Sequence, residues 1–245
     1  MVYIKRWLEY YAELFSTEPD QVAFFDKLAS EFQVPAKLLS VECGPALLSD
    51  ELSKKHDVTV TDSYSEFINV VKNRHIVHNN EFHCFNLNPF DIARYLGKNY
   101  FNVIANLNYR LIFMKDRTLI KKFIFDCKML LSDGGYLVID LLNFSKYDFA
   151  QTKVDLPPVK CERATLYSSL VKNSDTASYQ LFQHIITSSG KVIDEVKAED
   201  VCPISHETLK SWAEELKYSS IEFYNDYKKT PFSKDSDRII CVLRK

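Results

Sequence analysis

Three parts of the sequence carry groups that could bind or transform a ligand. The first is the loop Ser40-Val-Glu-Cys-Gly-Pro-Ala46, which follows the short apolar run Lys37–Val41. Gly44 admits positive φ there and lets backbone approach a ligand with no Cβ in the way. The second is Asp62, eighteen residues past Gly44, at the end of the β-branched run His56–Thr61. A carboxylate at the carboxyl end of a parallel strand, beside the point where strand order reverses, is placed to hydrogen-bond a ribose. Asp62-Ser63 equally suits a helix N-cap, and the two roles coexist. The third is a set of side chains able to bind an anion or move a proton: Tyr109, Arg110, Tyr136 and His206. An arginine suits a carboxylate or phosphate, and tyrosine and histidine can move protons. For each of these the plain alternative stays open: a core tyrosine, a surface ion pair, a histidine in a helix's first turn.

The same loop argues against a nicotinamide or flavin dinucleotide. A pyrophosphate needs glycine-lined backbone donors at a helix N-terminus. Glu42 would repel it, and Pro45 removes an N–H. His75, His78 and His83 have metal-like spacing, but no Cys or acidic partner completes a ligand set, so no metal site is expected.

Composition narrows the class further. Lys plus Arg (31) nearly cancels Asp plus Glu (33), and no basic stripe stands out. A nucleic-acid footprint and a polybasic membrane anchor are therefore both disfavoured. No run approaches the ~20 apolar residues of a membrane span. Six cysteines without a C-x-x-C pair, several inside apolar runs, suit a reduced cytoplasmic protein with buried thiols. Glycine is scarce, five in 245 residues, so little of it can be spent on a ligand loop.

The elements that must position these groups alternate. Trp7, Tyr10, Tyr11 and Leu14, then Val22, Phe25, Leu28 and Phe32, recur at helical spacing over residues 1–35. Strands are predicted at 37–41, 56–61, 81–85, 102–107 and 136–142. Helices through Leu47–Lys55, from Ser63, from Pro89 and through Leu119–Leu131 separate them. Asp133-Gly-Gly135 stops the last of these helices. Near-continuous apolar strands alternating with helices predict an α/β fold: a parallel sheet covered on both faces. From Val159 to Asp200 the pattern changes to β-type residues alternating with polar ones, an antiparallel meander with one wet face. Ser205 then caps a helix, and 220–224 and 238–243 pair antiparallel because their connection is too short for a crossover helix.

This order resembles the class I S-adenosylmethionine-dependent methyltransferases, in particular the small-molecule branch with a sheet inserted after the fifth strand. Its carriers are Leu39-Ser-Val-Glu-Cys-Gly-Pro-Ala-Leu-Leu48, Asp62, Leu131-Ser-Asp-Gly-Gly-Tyr-Leu-Val-Ile-Asp140 and Thr230-Pro-Phe with Ser236-Asp-Arg-Ile-Ile240. The resemblance implies a Rossmann-like seven-stranded sheet with its last pair antiparallel and helices on both faces. It implies one domain over 1–245, with 1–35 as an N-terminal helical segment. Residues 36–149 and 205–245 form the core, and 150–204 an inserted antiparallel subdomain. It implies S-adenosylmethionine as cofactor, a small soluble acceptor, and a monomer or homodimer. By position Glu42, Gly44 and Ala46 would meet the methionine part, Asp62 and Ser63 the ribose, and Asn86 and Leu87 the adenine. Asn106 to Arg110 would face the methyl group and the acceptor, with Tyr109, Arg110 and His206 as catalytic candidates. Tyr10 and Tyr11 would either close over the cofactor or simply pack. The family loop reads acidic-x-Gly-x-Gly-x-Gly; here Ser40, Glu42, Gly44 and Ala46 stand at those positions. Glu42 either binds the cofactor's ammonium or occupies its space. The altered loop also implies an alternative, a catalytically inactive methyltransferase-like binding or regulatory module.

Overall fold

The structure, a computed structural model, describes residues 2–78, 82–147, 151–172 and 179–245, with the side chains of 2–7, 75–78 and 194–197 left out of the description. Two helices come first, α1 (Val2–Leu14) and α2 (Pro19–Ala29). Pro19 opens α2, where its missing N–H is no loss. Strand and helix then alternate: β1 (Lys37–Val41), α3 (Leu47–Ser53), β2 (Asp57–Asp62), α4 (Ser65–His78), β3 (His83–Asn86), α5 (Ile92–Tyr95), β4 (Phe101–Asn106), α6 (Arg117–Leu130) and β5 (Leu131–Leu142). The second sheet comprises β6 (Lys153–Asp155), β7 (Val159–Lys160), β8 (Ala164–Lys172), β9 (Tyr179–Thr187) and β10 (Val192–Val201). The chain returns through α7 (His206–Glu215) to β11 (Ser220–Tyr224) and β12 (Arg238–Arg244).

The main sheet runs β11-β12-β5-β4-β1-β2-β3. Strands β1 to β5 pair parallel, while β12 runs antiparallel to both β5 and β11. Alternate residues of each strand serve opposite faces. Leu39, Ile104, Ile139 and Cys241 pack under Ile120, Phe123 and Ile124 of α6 and Leu209 of α7. Leu38, Val60, Val103, Val138 and Ile240 pack under Phe24, Phe25 and Leu28 of α2 and Val71 of α4. The sheet is thus covered on both sides, as its unbroken apolar strands require.

Two boundaries differ from expectation. The residues after α6 join β5 at once, so Gly134 and Gly135 lie inside the strand and not before it. Pairing with β4 shifts register between Phe101 and Val103, and Gly134 adopts φ 74°. A Cβ on Gly135 would come within 2.9 Å of Ser132 O and 3.0 Å of Asn102 O, so the backbone there passes too close for any side chain. A glycine pair signals a helix stop and a strand bulge alike, and tertiary pairing made it the second. The helix expected from Pro89 is a single turn, Ile92–Tyr95.

The meander runs β10-β9-β8-β6, with β7 beside β8. Leu166, Ile185 and Ile193 pack against Leu14 of α1, while Leu170 and Leu181 join the core under α6.

Candidate functional site

The strand order reverses at β1, which has β4 on one side and β2 on the other. Crossovers leave it in opposite directions, so a crevice opens beyond the carboxyl ends of these strands. The loop after β1 sits there. Glu42, Gly44 and Ala46 all adopt left-handed backbone, at φ 55°, 56° and 54°. Glycine takes this region freely, whereas a side chain there costs on the order of 1–2 kcal/mol. Two non-glycine residues, Glu42 and Ala46, therefore hold a backbone that glycine adopts at no cost. Cys43 N donates to Thr61 O at 3.0 Å, and Gly44 N to Asp62 Oδ2 at 2.8 Å.

Asp62 ends β2 fully buried. Its second oxygen accepts from Tyr64 N at 2.8 Å, the turn that starts α4. Burial first, then the charge of nearby Glu42, pushes its carboxyl up to about 6, against the pull of Arg110 and the two backbone amides. Asn86, at the end of β3, donates to Asp62 O at 2.8 Å and to Ser63 O at 3.0 Å, tying β2 to β3. Leu87 follows it, half-buried.

Glu42 reaches across the mouth of the crevice. One oxygen accepts from the Ser63 amide at 3.2 Å and from the Ser63 hydroxyl; the other accepts from Arg110 at 2.9 Å. The pair is largely withdrawn from water, with Glu42 9% and Arg110 13% exposed at the side chain. Arg110 is aimed there by two consecutive left-handed residues, Asn108 (φ 54°) and Tyr109 (φ 48°). Their amides bind Asp140, Asn108 N at 3.2 Å to the carboxylate and Tyr109 N at 2.9 Å to the backbone oxygen. Asn106, buried at the end of β4, donates to Val41 O at 3.2 Å.

Tyr11 of α1 lies over this loop. A Cβ on Gly44 would stand 3.1 Å from Tyr11 Cε1, so the open face of the glycine is covered by the ring. Phe67 of α4 and Phe15 support that ring, with centroids 5.1 and 4.6 Å away. Beside the loop remains a cavity of about 30 Å³, bounded by Phe15, Ser40, Glu42, Ala46, Leu107 and Asn108. That holds a water or two, against the ~300 Å³ or more of an open ligand pocket.

Glu42, Gly44, Ala46, Asp62, Ser63, Asn86, Asn106 and Arg110 thus surround one crevice. Tyr109 borders it, its ring 5.9 Å from Phe15, and burial raises its hydroxyl well above the ordinary tyrosine range. His206 lies instead in the first turn of α7, against Phe232 and Phe223 at 4.7 and 5.9 Å, with Glu207 3.2 Å from Nδ1. Tyr136 lies toward the other end of β5, where its hydroxyl donates to Glu31 at 2.7 Å and Arg244 covers its ring. Among the described residues no group of three His, Cys, Asp or Glu side chains is arranged to hold a metal ion; the His75 and His78 side chains are outside that description. All six thiols are free, and no described helix is long and apolar enough to cross a membrane.

One ion pair was not anticipated, although Asp140 and Arg238 both lie in stretches that carry the family resemblance. Arg238 of β12 grips Asp140 of β5, and Tyr227 and Gln21 extend the chain of hydrogen bonds to α2. The local signal for the pairing itself was a charge inside each of two apolar strands.

No family model matches this chain, and no curated protein matches its sequence. Solved structures do match its shape. An S-adenosylmethionine-dependent methyltransferase from Clostridium acetobutylicum superposes with a TM-score of 0.78 at 13% identity, covering 98% of each chain. The CcbJ methyltransferase from Streptomyces caelestis gives 0.76 at 15% identity, covering 92% of this chain and 88% of that one. CalS10, an amino pentose methyltransferase from Micromonospora echinaspora solved with S-adenosylmethionine bound, gives 0.67 at 13% identity, covering 100% of this chain and 97% of that one. At such identities the likeness is one of architecture, and this chain has the fold of the class I S-adenosylmethionine-dependent methyltransferases.

Proposed function

We propose that this chain is an S-adenosylmethionine-dependent methyltransferase acting on a small soluble acceptor, one domain over 1–245 with 150–204 as an insertion. The observation that carries this reading is the loop after β1, left-handed at 42, 44 and 46 beside the buried carboxylate ending β2. The crevice also has unmet polar groups: Arg110 Nε and Asn106 Oδ1 are buried and find no hydrogen-bond partner among the described residues. A polar ligand there would satisfy them. Glu42, Gly44 and Ala46 would hold its methionine part, Asp62 and Ser63 the ribose, and Asn86 and Leu87 the adenine. Admitting it requires Tyr11 and Glu42 to give way.

When bound, the cofactor supplies an electrophilic methyl group on a sulfonium. The chain's own contribution is positional: it aligns an acceptor and keeps water out. Arg110, once turned from Glu42, is the group to pair with an anionic acceptor. Tyr109, its hydroxyl held protonated by burial, donates a hydrogen bond and does not act as a base. The meander joins this side of the crevice, where Cys202 N, just past β10, donates to Ile112 O at 2.8 Å. The near-neutral charge supports a small soluble acceptor over nucleic acid.

A second reading, a catalytically inactive methyltransferase-like module, is favoured by one observation. The Glu42 carboxylate is already satisfied by Arg110 and Ser63 inside the space a ligand would use.

Thermal unfolding with S-adenosylmethionine, S-adenosylhomocysteine and NAD separates the two. Ligand at about a hundred times its dissociation constant adds roughly 2.7 kcal/mol, or roughly 5–10 °C for a chain of this size. A shift of that order with the methionine cofactors and none with NAD supports the enzyme. No shift in the native chain, but one in Glu42→Gly, supports the inactive module.

A further inference from the structure

We infer that α1 is a built-in latch on this crevice: Tyr11 fills the ligand's place over Gly44, Arg163 of the meander holds the helix down, and ligand entry requires α1 to lift. The inference rests on the ligand reading given above and concerns regulation of that same site.

The helix is fastened on two sides. On its inner side the Tyr11 ring occupies the approach that a glycine leaves open, and it is buried between the loop and Phe67. A cofactor and this ring cannot share that face of Gly44. The charged groups around the Tyr11 hydroxyl are Arg110 and Glu42, which close the mouth of the crevice, and the buried Asp62. On its outer side the fastening is different in kind. Arg163, between β7 and β8, reaches Glu13 at 2.6 Å and Glu9 at 3.4 Å and donates to Glu9 O at 2.9 Å. Its guanidinium also lies 4.9 Å from the centre of the Tyr10 ring. Here the groups are open to water, with Arg163 46%, Glu9 59% and Glu13 38% exposed at the side chain.

This division gives the latch its property. Apolar contacts, Tyr11 with Phe67 on the inside and Leu14 with Leu166, Ile185 and Ile193 of the meander, select the closed position, while the Arg163 clamp is made of exposed ion pairs that salt screens and a competing charge can displace. Arg163 therefore adjusts how much of the chain is open without touching the crevice. Apparent affinity scales with that open fraction.

The test uses the full chain with S-adenosylhomocysteine as an unreactive probe, read by calorimetry, alongside amide hydrogen exchange. Arg163→Ala touches nothing in the crevice, and Tyr11→Ala removes the ring itself. Tyr11→Ala is expected to bind the probe ~5-fold or more tightly than the native chain, and Arg163→Ala, which loses exposed ion pairs only, ~2- to 5-fold more tightly. Raising salt from about 0.05 to about 0.5 M should tighten binding to the native chain and leave Arg163→Ala unchanged. In Arg163→Ala, exchange should rise together at residues 8–15 and at the loop amides of 43–46. Equal affinities in all three proteins overturn the latch. So does faster exchange in the helix with none in the loop. If the probe binds no variant, the cofactor reading falls, and the exchange result alone decides whether α1 closes the crevice.

Discussion

Arg238 holds Asp140 by both of its oxygens, with Nε and a terminal nitrogen each 2.6 Å from the carboxylate. Asp140 is 1% exposed at the side chain and Arg238 40%, so the arginine keeps contact with water while its partner has none. The same carboxylate accepts from Tyr227 at 3.1 Å and from the Asn108 amide at 3.2 Å, and Tyr227 accepts from Gln21 at 3.0 Å. Strands β5 and β12, helix α2 and the turn that carries Arg110 therefore share one buried charge.

Removing the arginine strands that charge. Arg238→Met is expected to cost about 3 kcal/mol, the low end for a buried ion that loses its partner because Tyr227 and Asn108 still serve it. Arg238→Met with Asp140→Asn should recover part of the loss, since the stranded charge is then gone. Urea denaturation of the two proteins makes the comparison, and a double variant no more stable than the single would disprove the argument.

Lys217 offers a gain. It follows α7 in the left-handed region at φ 57°, and Tyr218 N closes the helix end on Ala213 O at 3.0 Å. Lys217 is exposed, so its side chain gives little in return for the backbone strain. Lys217→Gly is expected to stabilise the chain by about 1 kcal/mol. The denaturation midpoint should rise with an unchanged slope.

At the other end of a helix, Asp116 caps α6 by accepting from Thr118 N at 2.8 Å and Leu119 N at 3.0 Å. Asp116→Ala leaves both amides to water and should cost about 1 kcal/mol, whereas Asp116→Asn should cost less. If the two substitutions destabilise equally, the cap does not act through its oxygen.

Asp62 predicts a pH dependence. Its carboxyl is held at about 6 in the fold against an ordinary 3.8, so folding takes up a proton between those values. A raised value contributes stability that is complete below about pH 4 and is lost as pH rises through about 6. Relative to Asp62→Asn, the native chain should therefore lose stability steadily across that window. Paired unfolding curves from about pH 4 to about pH 7 check this, and a constant difference between the two proteins would refute it.

Much of this was legible in the sequence. The apolar runs at 37–41 and 102–107 became β1 and β4 within a residue, and Ser205 caps α7 by accepting from Thr208 N, because such signals act over a few neighbouring residues. Chain order and the short final connection gave the parallel core and the antiparallel last pair. The loop after β1 and Asp62 were likewise visible as residues that belong at one edge of that sheet. What the loop does with Glu42 was open.

The tertiary structure decided what Glu42 meets in the fold. Glu42 meets Arg110 across 68 positions of chain, Arg238 meets Asp140 across 98, and Tyr11 reaches Gly44 from a helix outside the sheet. None of these pairs leaves a periodic trace, since each depends on strand order and on where crossovers return. Local patterns determined which elements form and which faces they bury. Only packing those elements together fixed which charges are drawn out of water side by side, and so which groups close the crevice.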